Sequence, residues 1–199
     1  PKPLLHELPF PITTAADLLG YCRAHACRIS DIVKRNERTW RSESEITQQL
    51  TAIRDAMFDS IHRGCRTEGV LPGGLNVQRR AFGMAKKLLQ SDVPAESAEW
   101  ITAIREQPRD FASVLDWVSC FALAVNEEHA AFGRIVTAPT NGAAGVIPAV
   151  LFYYHCFCDL PDTAFREFLL TAGEIGCIFK KGATISAAQG GCQAEIGVS

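Results

Sequence analysis

Residues 41–64, RSESEITQQLTAIRDAMFDSIHRG, constrain this chain more than any other stretch. Ile46, Leu50, Ile53, Met57 and Ile61 recur at three- and four-residue steps. That spacing stacks side chains on one face of a helix and is incompatible with the alternation of a strand. Ser42 with Glu45 supplies a capping box at the start, and Gly64 is expected to end the run. The same period returns along the chain. Thr14 with Asp17 opens a helix carrying Leu18, Leu19 and Cys22. Another starts at Pro94 or Ser97 and carries Trp100, Ile101 and Ile104. FASVLDWVSCFALAVNEEHAA reads as a more buried helix. PDTAFREFLLTAGEIGCIFKKG begins with Pro161 in its first turn and stops at Gly182. Its apolar stripe is Phe165, Phe168, Leu169, Ala172, Ile175 and Phe179. No alternating stretch of useful length appears. The expected fold is all-α, a compact multi-helix domain with a buried apolar core. Residues 1–12 read as a linker and residues 13–199 as the helical domain.

Two glycine-containing breaks are expected in the first half, at 63–64 and at 68–81. The second half carries fewer charges and more Ala and Gly, as close helix contacts require, and is expected to form the core. No internal repeat or low-complexity segment is visible.

Composition narrows the function classes. With 47% hydrophobic and 21% charged residues, 199 residues suffice for a substantial core. A net charge of −2 gives no reason to expect a nucleic-acid or membrane-surface partner. The longest apolar runs, such as VIPAVLFYY, fall far short of the roughly 20 residues of a membrane span. Eight cysteines is a high count, but most sit in apolar helical stretches. That pattern suits core thiols of a reduced, cytoplasmic protein better than a disulfide scaffold.

Four stretches could carry chemistry. In GRIVTAPTNGAAGVIPAV, residues 133–150, a turn at Pro139, Thr140, Asn141 and Gly142 leads to a helix near Gly145 with Pro148 in its first turn. Exposed N–H groups at such a junction suit a carboxylate, and Thr140 and Asn141 could add hydrogen bonds. The same residues would equally make a tight turn before an ordinary helix start. In GATISAAQGGCQAEIG, Cys192 follows two glycines and opens a helix, where the dipole favours the thiolate that binds metal or attacks. The alternative is a structural cysteine between close-packed helices. His155, Cys156 and Cys158 in YYHCFCDL lack the usual zinc spacing and read as core packing. Arg79 and Arg80 could grip a carboxylate bidentately, or form a solvated face or an intra-chain ion pair.

Taken together, TEGVLPGGLNVQRRA, LAVNEEHAAFGRIVTAPTNGAAGVIPAVLFYY and ISAAQGGCQAEIGVS closely resemble the bacterial iron–sulfur-dependent L-serine dehydratases, and specifically their α-domain or α-subunit. The resemblance runs over essentially the whole chain, in order. It implies a lyase that converts L-serine to pyruvate and ammonia without pyridoxal phosphate. It also implies an oxygen-sensitive 4Fe–4S cluster, held by three cysteines, whose open iron acts as a Lewis acid. Cys192 is the ligand that matches the family's GCQ motif. The turn at Thr140, Asn141 and Gly142 is expected to hold the carboxylate or amine of serine. The two other ligand cysteines and the β-domain or β-subunit do not appear in this sequence, so the chain is expected to be an incomplete α-domain, inactive and without a cluster by itself. The family also implies a homodimer. The catalytic base is not identified.

Two other readings stand beside this one. A pyridoxal-phosphate lyase would use Lys180 or Lys181 as its Schiff base, but such enzymes are α/β rather than all-helical. A non-catalytic helical scaffold or assembly module would need none of this chemistry, and would show no further cysteines on a longer chain.

Overall fold

A computed structural model of the protein describes residues 7–137, 139–158, 161, 163–183, 186–191 and 193. The described residues form α-helices joined by loops and two single-turn 3₁₀ segments. The only extended pairing among them is an isolated antiparallel bridge between Val70 and Gln78. The all-α expectation is therefore met. The chain divides into two compact units, one of residues 1–52 with 163–199 and the other of residues 53–162.

The first unit holds α1 (Ala15–Ala24), α2 (Ile29–Glu37), the start of α3 (Glu43–Arg66) and α8 (Ala164–Gly182). Thr14 and Asp17 form the expected reciprocal cap on α1. Its hydrogen bonds hold the Asp17 carboxyl below its usual range. Ser42 and Glu45 cap α3 in the same way. Ile12, Leu18 and Ile32 are the centre of this core, and Ile178 of α8 packs against them. Asn36 clasps the backbone of Phe10 from both sides: its Oδ1 accepts the Phe10 N–H at 3.0 Å, and its Nδ2 donates to the Phe10 carbonyl at 2.7 Å. Pro161 lies before α8 rather than in its first turn, and the helix stops at Gly182 as expected.

The second unit holds the rest of α3, α4 (Ala81–Leu89), α5 (Ser97–Arg105), α6 (Phe111–Ala130) and α7 (Val146–Phe157). An aromatic stack fills its centre. Trp100 lies parallel to Phe152 at 5.1 Å and to His62 at 4.7 Å, and Phe121 meets Phe152 edge-on at 4.8 Å. Aromatic pairs of this kind add about 0.5–1.5 kcal/mol each beyond the area they bury. His62 donates from Nε2 to the Pro94 carbonyl at 2.9 Å, and burial pushes its pKa down.

Gly64 corrects the sequence reading. It does not end α3, which continues to Arg66, so no break occurs at 63–64. A Cβ on Gly64 would stand 2.5 Å from the Ala124 carbonyl oxygen of α6. The glycine marks a helix–helix contact, and only a residue without a side chain permits it. Ile53, placed on the buried stripe of α3, is 37% exposed. The small-residue core expected of the second half is there, with Ala124 and Ala149 buried, but the first half shares it through Ile61, Cys65, Ala81 and Ala85.

Candidate functional site

The turn predicted at Thr140, Asn141 and Gly142 exists, and α6 is its platform. Thr140 is extended and buried, then Asn141–Ala143 make one 3₁₀ turn, and α7 begins at Val146. The Asn141 carbonyl accepts the Ala144 N–H at 3.2 Å, which closes the turn. Asn141 and Gly142 face outward, whereas Ala144 and Gly145 are buried. Gly145 presses so closely on α6 that a Cβ would lie 2.5 Å from the Ala122 carbonyl oxygen and 3.0 Å from Asn126 Oδ1. No side chain caps α7, and Pro148 in its first turn has no N–H to offer. The result is an exposed amide side chain, a bare glycine backbone and an uncapped helix start at one place. This combination suits a small anion.

The C-terminal end of α6 carries two residues that the sequence reading did not single out. Glu127 and Glu128 are each only 3% exposed. Glu127 reaches across to the start of α4, where it accepts the Arg80 N–H at 2.7 Å and the Ala81 N–H at 3.3 Å. It replaces the cap that Arg80 does not supply to α4. Glu128 accepts from Arg79 Nη1 at 2.8 Å on one oxygen and from Arg63 Nε on the other. Of the three readings of the arginine pair, Arg79 thus follows the intra-chain ion pair. One signal was available: Trp117, Phe121, Ala124 and Glu128 continue a single stripe at four-, three- and four-residue steps. A carboxylate on a buried stripe requires a cationic partner.

α6 then ends in a Schellman motif. The Gly133 N–H reaches the Glu128 carbonyl at 2.8 Å and the Phe132 N–H reaches that of His129 at 3.0 Å. Phe132, at φ +59°, occupies the left-handed position usually given to glycine.

Cys192 lies outside the described residues. The glycines before it, Gly190 (φ +131°) and Gly191 (φ +51°), take backbone conformations that side chains rarely adopt. The Gly191 N–H returns to the Ser186 carbonyl at 2.9 Å, which curls residues 186–191 into a tight loop.

Comparison with known proteins gives these features a family. The family model described as "Serine dehydratase alpha chain" matches residues 24–199. The chain belongs to this family. L-serine dehydratase 2 of Escherichia coli (strain K12) is 42% identical over 194 residues, which cover 97% of this chain and 40% of that protein. L-serine dehydratase 1 of the same organism is 43% identical over 195 residues, 97% of this chain and 40% of that protein. The L-serine dehydratase of Streptomyces coelicolor is 44% identical over 191 residues, 96% of this chain and 38% of that protein. The chain thus spans about two fifths of the length of the curated relatives it matches.

For a serine dehydratase alpha chain the metal question is central, and the described residues answer it in part. Among them, no group of three or more His, Cys, Asp or Glu side chains could hold a metal ion. Their cysteines are free thiols. Cys65 and Cys120 meet at 3.9 Å in the core, and hydrogen bonding to Cys120 together with burial pushes the Cys65 thiol far up. Burial takes the Cys156 thiol to about 12. Thiols held protonated in apolar surroundings are poor ligands. The described residues therefore do not fit an iron–sulfur cluster by themselves. His155 and Cys156 are packing residues, with His155 against Phe58 at 5.1 Å. Lys181 donates to the Ile12 carbonyl. Among the described residues there is no sheet of the kind an α/β pyridoxal-phosphate lyase would need. No described helix is long and apolar enough to cross a membrane.

Proposed function

We propose that this chain is the α portion of an L-serine dehydratase, a carbon–nitrogen lyase that converts L-serine to pyruvate and ammonia. The observation that carries the reading is the 42–44% identity to proteins of that name across nearly the whole chain. In this reading L-serine binds at Thr140, Asn141 and Gly142. The Asn141 amide and the uncapped start of α7 receive its carboxylate, and the absence of a side chain at Gly142 leaves room for it.

The reaction removes the α-proton and expels the β-hydroxyl as water. The aminoacrylate that results tautomerises to an imine, and hydrolysis of the imine releases ammonia and pyruvate. Residues 140–145 are Thr, Asn, Gly, Ala, Ala and Gly, with no titratable side chain. The turn therefore binds and orients, and the base comes from elsewhere. We assign the base to the β-domain or β-subunit, whose partnership belongs to the same proposal, as do a homodimeric state and a cytoplasmic location. The free thiols of the described cysteines accord with a reducing compartment.

Cys192 is proposed as one thiolate ligand of a 4Fe–4S cluster, with its partners drawn from outside the described residues. When bound, such a cluster supplies a Lewis acid for the serine hydroxyl. The positive φ at Gly190 and Gly191 supports the assignment, because it lets main chain approach a bulky group closely.

The test is to prepare the full-length protein without oxygen, with iron and sulfide, and to measure pyruvate from L-serine alongside iron content. The wild type is expected to bind iron and release pyruvate, and Cys192→Ala to lose both. A colourless wild-type protein that leaves serine unchanged would refute the reading and favour a helical assembly module.

A further inference from the structure

The segment bearing the candidate turn is fastened to α6 at both ends. It leaves the helix at Phe132 and Gly133, and returns to it where Gly145 meets Ala122 and Asn126. Ala122 and Glu128 are six residues apart, about 9 Å along the helix axis. A loop of a dozen residues thus starts and finishes within two turns of one rigid element. Gly145 anchors its far end by close packing. Its near end is anchored by charge.

We propose that Glu128, clamped by Arg63 and Arg79, is a positioning residue for the substrate turn. It fixes where the segment leaves α6 and so sets where Asn141 and Gly142 stand. The inference rests on the reading of that turn as the serine-binding element.

Four contacts converge on Glu128. Its carbonyl holds the Gly133 N–H at 2.8 Å. Its carboxylate holds Arg63, which donates from Nη2 to the Arg134 carbonyl at 2.8 Å. Its Oε2 lies where a Cβ on Gly133 would be only 2.7 Å away. Arg79, with a side chain 7% exposed, locks the other oxygen from behind. The exit bend is strained, because Phe132 adopts φ +59° with its side chain in the open, 89% exposed. Strain of this kind persists only where surrounding contacts over-determine it. Packing of the Phe132 ring does not do this, and the Glu128 network does. The effect on substrate is indirect. It runs through the main chain from Gly133 to Gly145.

The experiment compares Glu128→Gln with wild type in the full-length, cluster-loaded protein. Glutamine keeps the size but loses the charge and must turn an NH₂ toward one arginine. KM for L-serine is expected to rise about 10- to 100-fold, the range in which small misplacements act. kcat and iron content should change much less. Amide exchange should quicken over 133–145 and stay unchanged in α7. Ile32→Val, a core truncation in the other unit, serves as the control for general destabilisation, with a lower melting temperature and an unchanged KM. Should Glu128→Gln fail to fold, Arg63→Ala carries the test: it should raise KM, and Arg63→Lys should restore part of the loss. A KM no higher than that of Ile32→Val, or unaltered exchange over 133–145, would overturn the inference. If the wild type does not turn over serine, the proposed function fails, and the exchange comparison alone decides the anchoring.

Discussion

Among the described residues both compact units carry exposed ion pairs, Arg54–Asp55 and Lys86–Asp92 among those of residues 53–162, but only that unit also buries one. In the unit of residues 53–162, Glu128 is 3% exposed and its partner Arg79 is nearly as buried. In the other, Arg28 pairs with Glu167 while their side chains stay 74% and 59% exposed. Lys34 and Arg38 grip Glu43 at a similarly open place. Exposed pairs contribute little, because water screens them and two long side chains must be held still. A buried pair has already lost its water, so breaking it leaves a charge without compensation. Nature of the neighbourhood explains the difference: the buried charges surround the root of the candidate turn, where backbone must be fixed, and the exposed ones decorate helix surfaces.

Substitutions should break or sharpen that contrast in a definite order. Glu128→Ala strands two arginines and is expected to cost about 3–5 kcal/mol of stability in urea unfolding. A loss no larger than that of the exposed pair would erase the contrast. Next come the glycines. Gly64→Ala forces a methyl group onto the Ala124 backbone and should destabilise by about 1–3 kcal/mol. Gly173→Ala in α8 has open space around it and should stabilise by about 0.5–1 kcal/mol through helix propensity. Opposite signs in thermal melts would show that one glycine is structural contact and the other is not. The smallest effect belongs to Glu167→Gln, at most about 1 kcal/mol, shrinking further in high salt.

Protonation separates the units as well. Burial lowers the pKa of His62 and raises that of Glu174. A depressed histidine contributes stability that is present above its unfolded value and lost as pH falls through the folded one. A raised carboxyl works the other way: its contribution is present below its unfolded value and lost as pH rises through the folded one. Melting temperatures scanned from about pH 8 to about pH 5 should fall in the wild type and fall less in His62→Gln. Parallel curves would mean that the His62–Trp100 stack tolerates the imidazolium.

Much of the fold is legible in the sequence because helices announce themselves locally. Thr14, Asp17, Ser42 and Glu45 cap helices where their spacing says they should. The errors come from long-range contacts. Gly64 reads as a helix end because a missing side chain serves both a C-cap and a close helix crossing, and Ala124 is sixty residues away. Ile53 fits the stripe of α3, yet it stands where the second unit's share of that helix begins, short of the buried Met57 and Ile61. In the candidate site, the turn at 140–142 is readable from its residue types. The Glu127–Glu128 platform is not, since its partners Arg63, Arg79 and Arg80 lie 47 to 65 residues away in sequence. Only a charged residue on an otherwise apolar stripe hinted at it.

The proposed function depends on the proposal that the turn on α6 binds the substrate of a serine dehydratase. Its most direct test is the serine dependence of pyruvate release by the full-length, anaerobically prepared protein, wild type against Asn141→Ala. Turnover by the wild type is expected, with a kcat/KM at least about tenfold lower in Asn141→Ala and the same iron content. Identical serine dependence in the two proteins would contradict it.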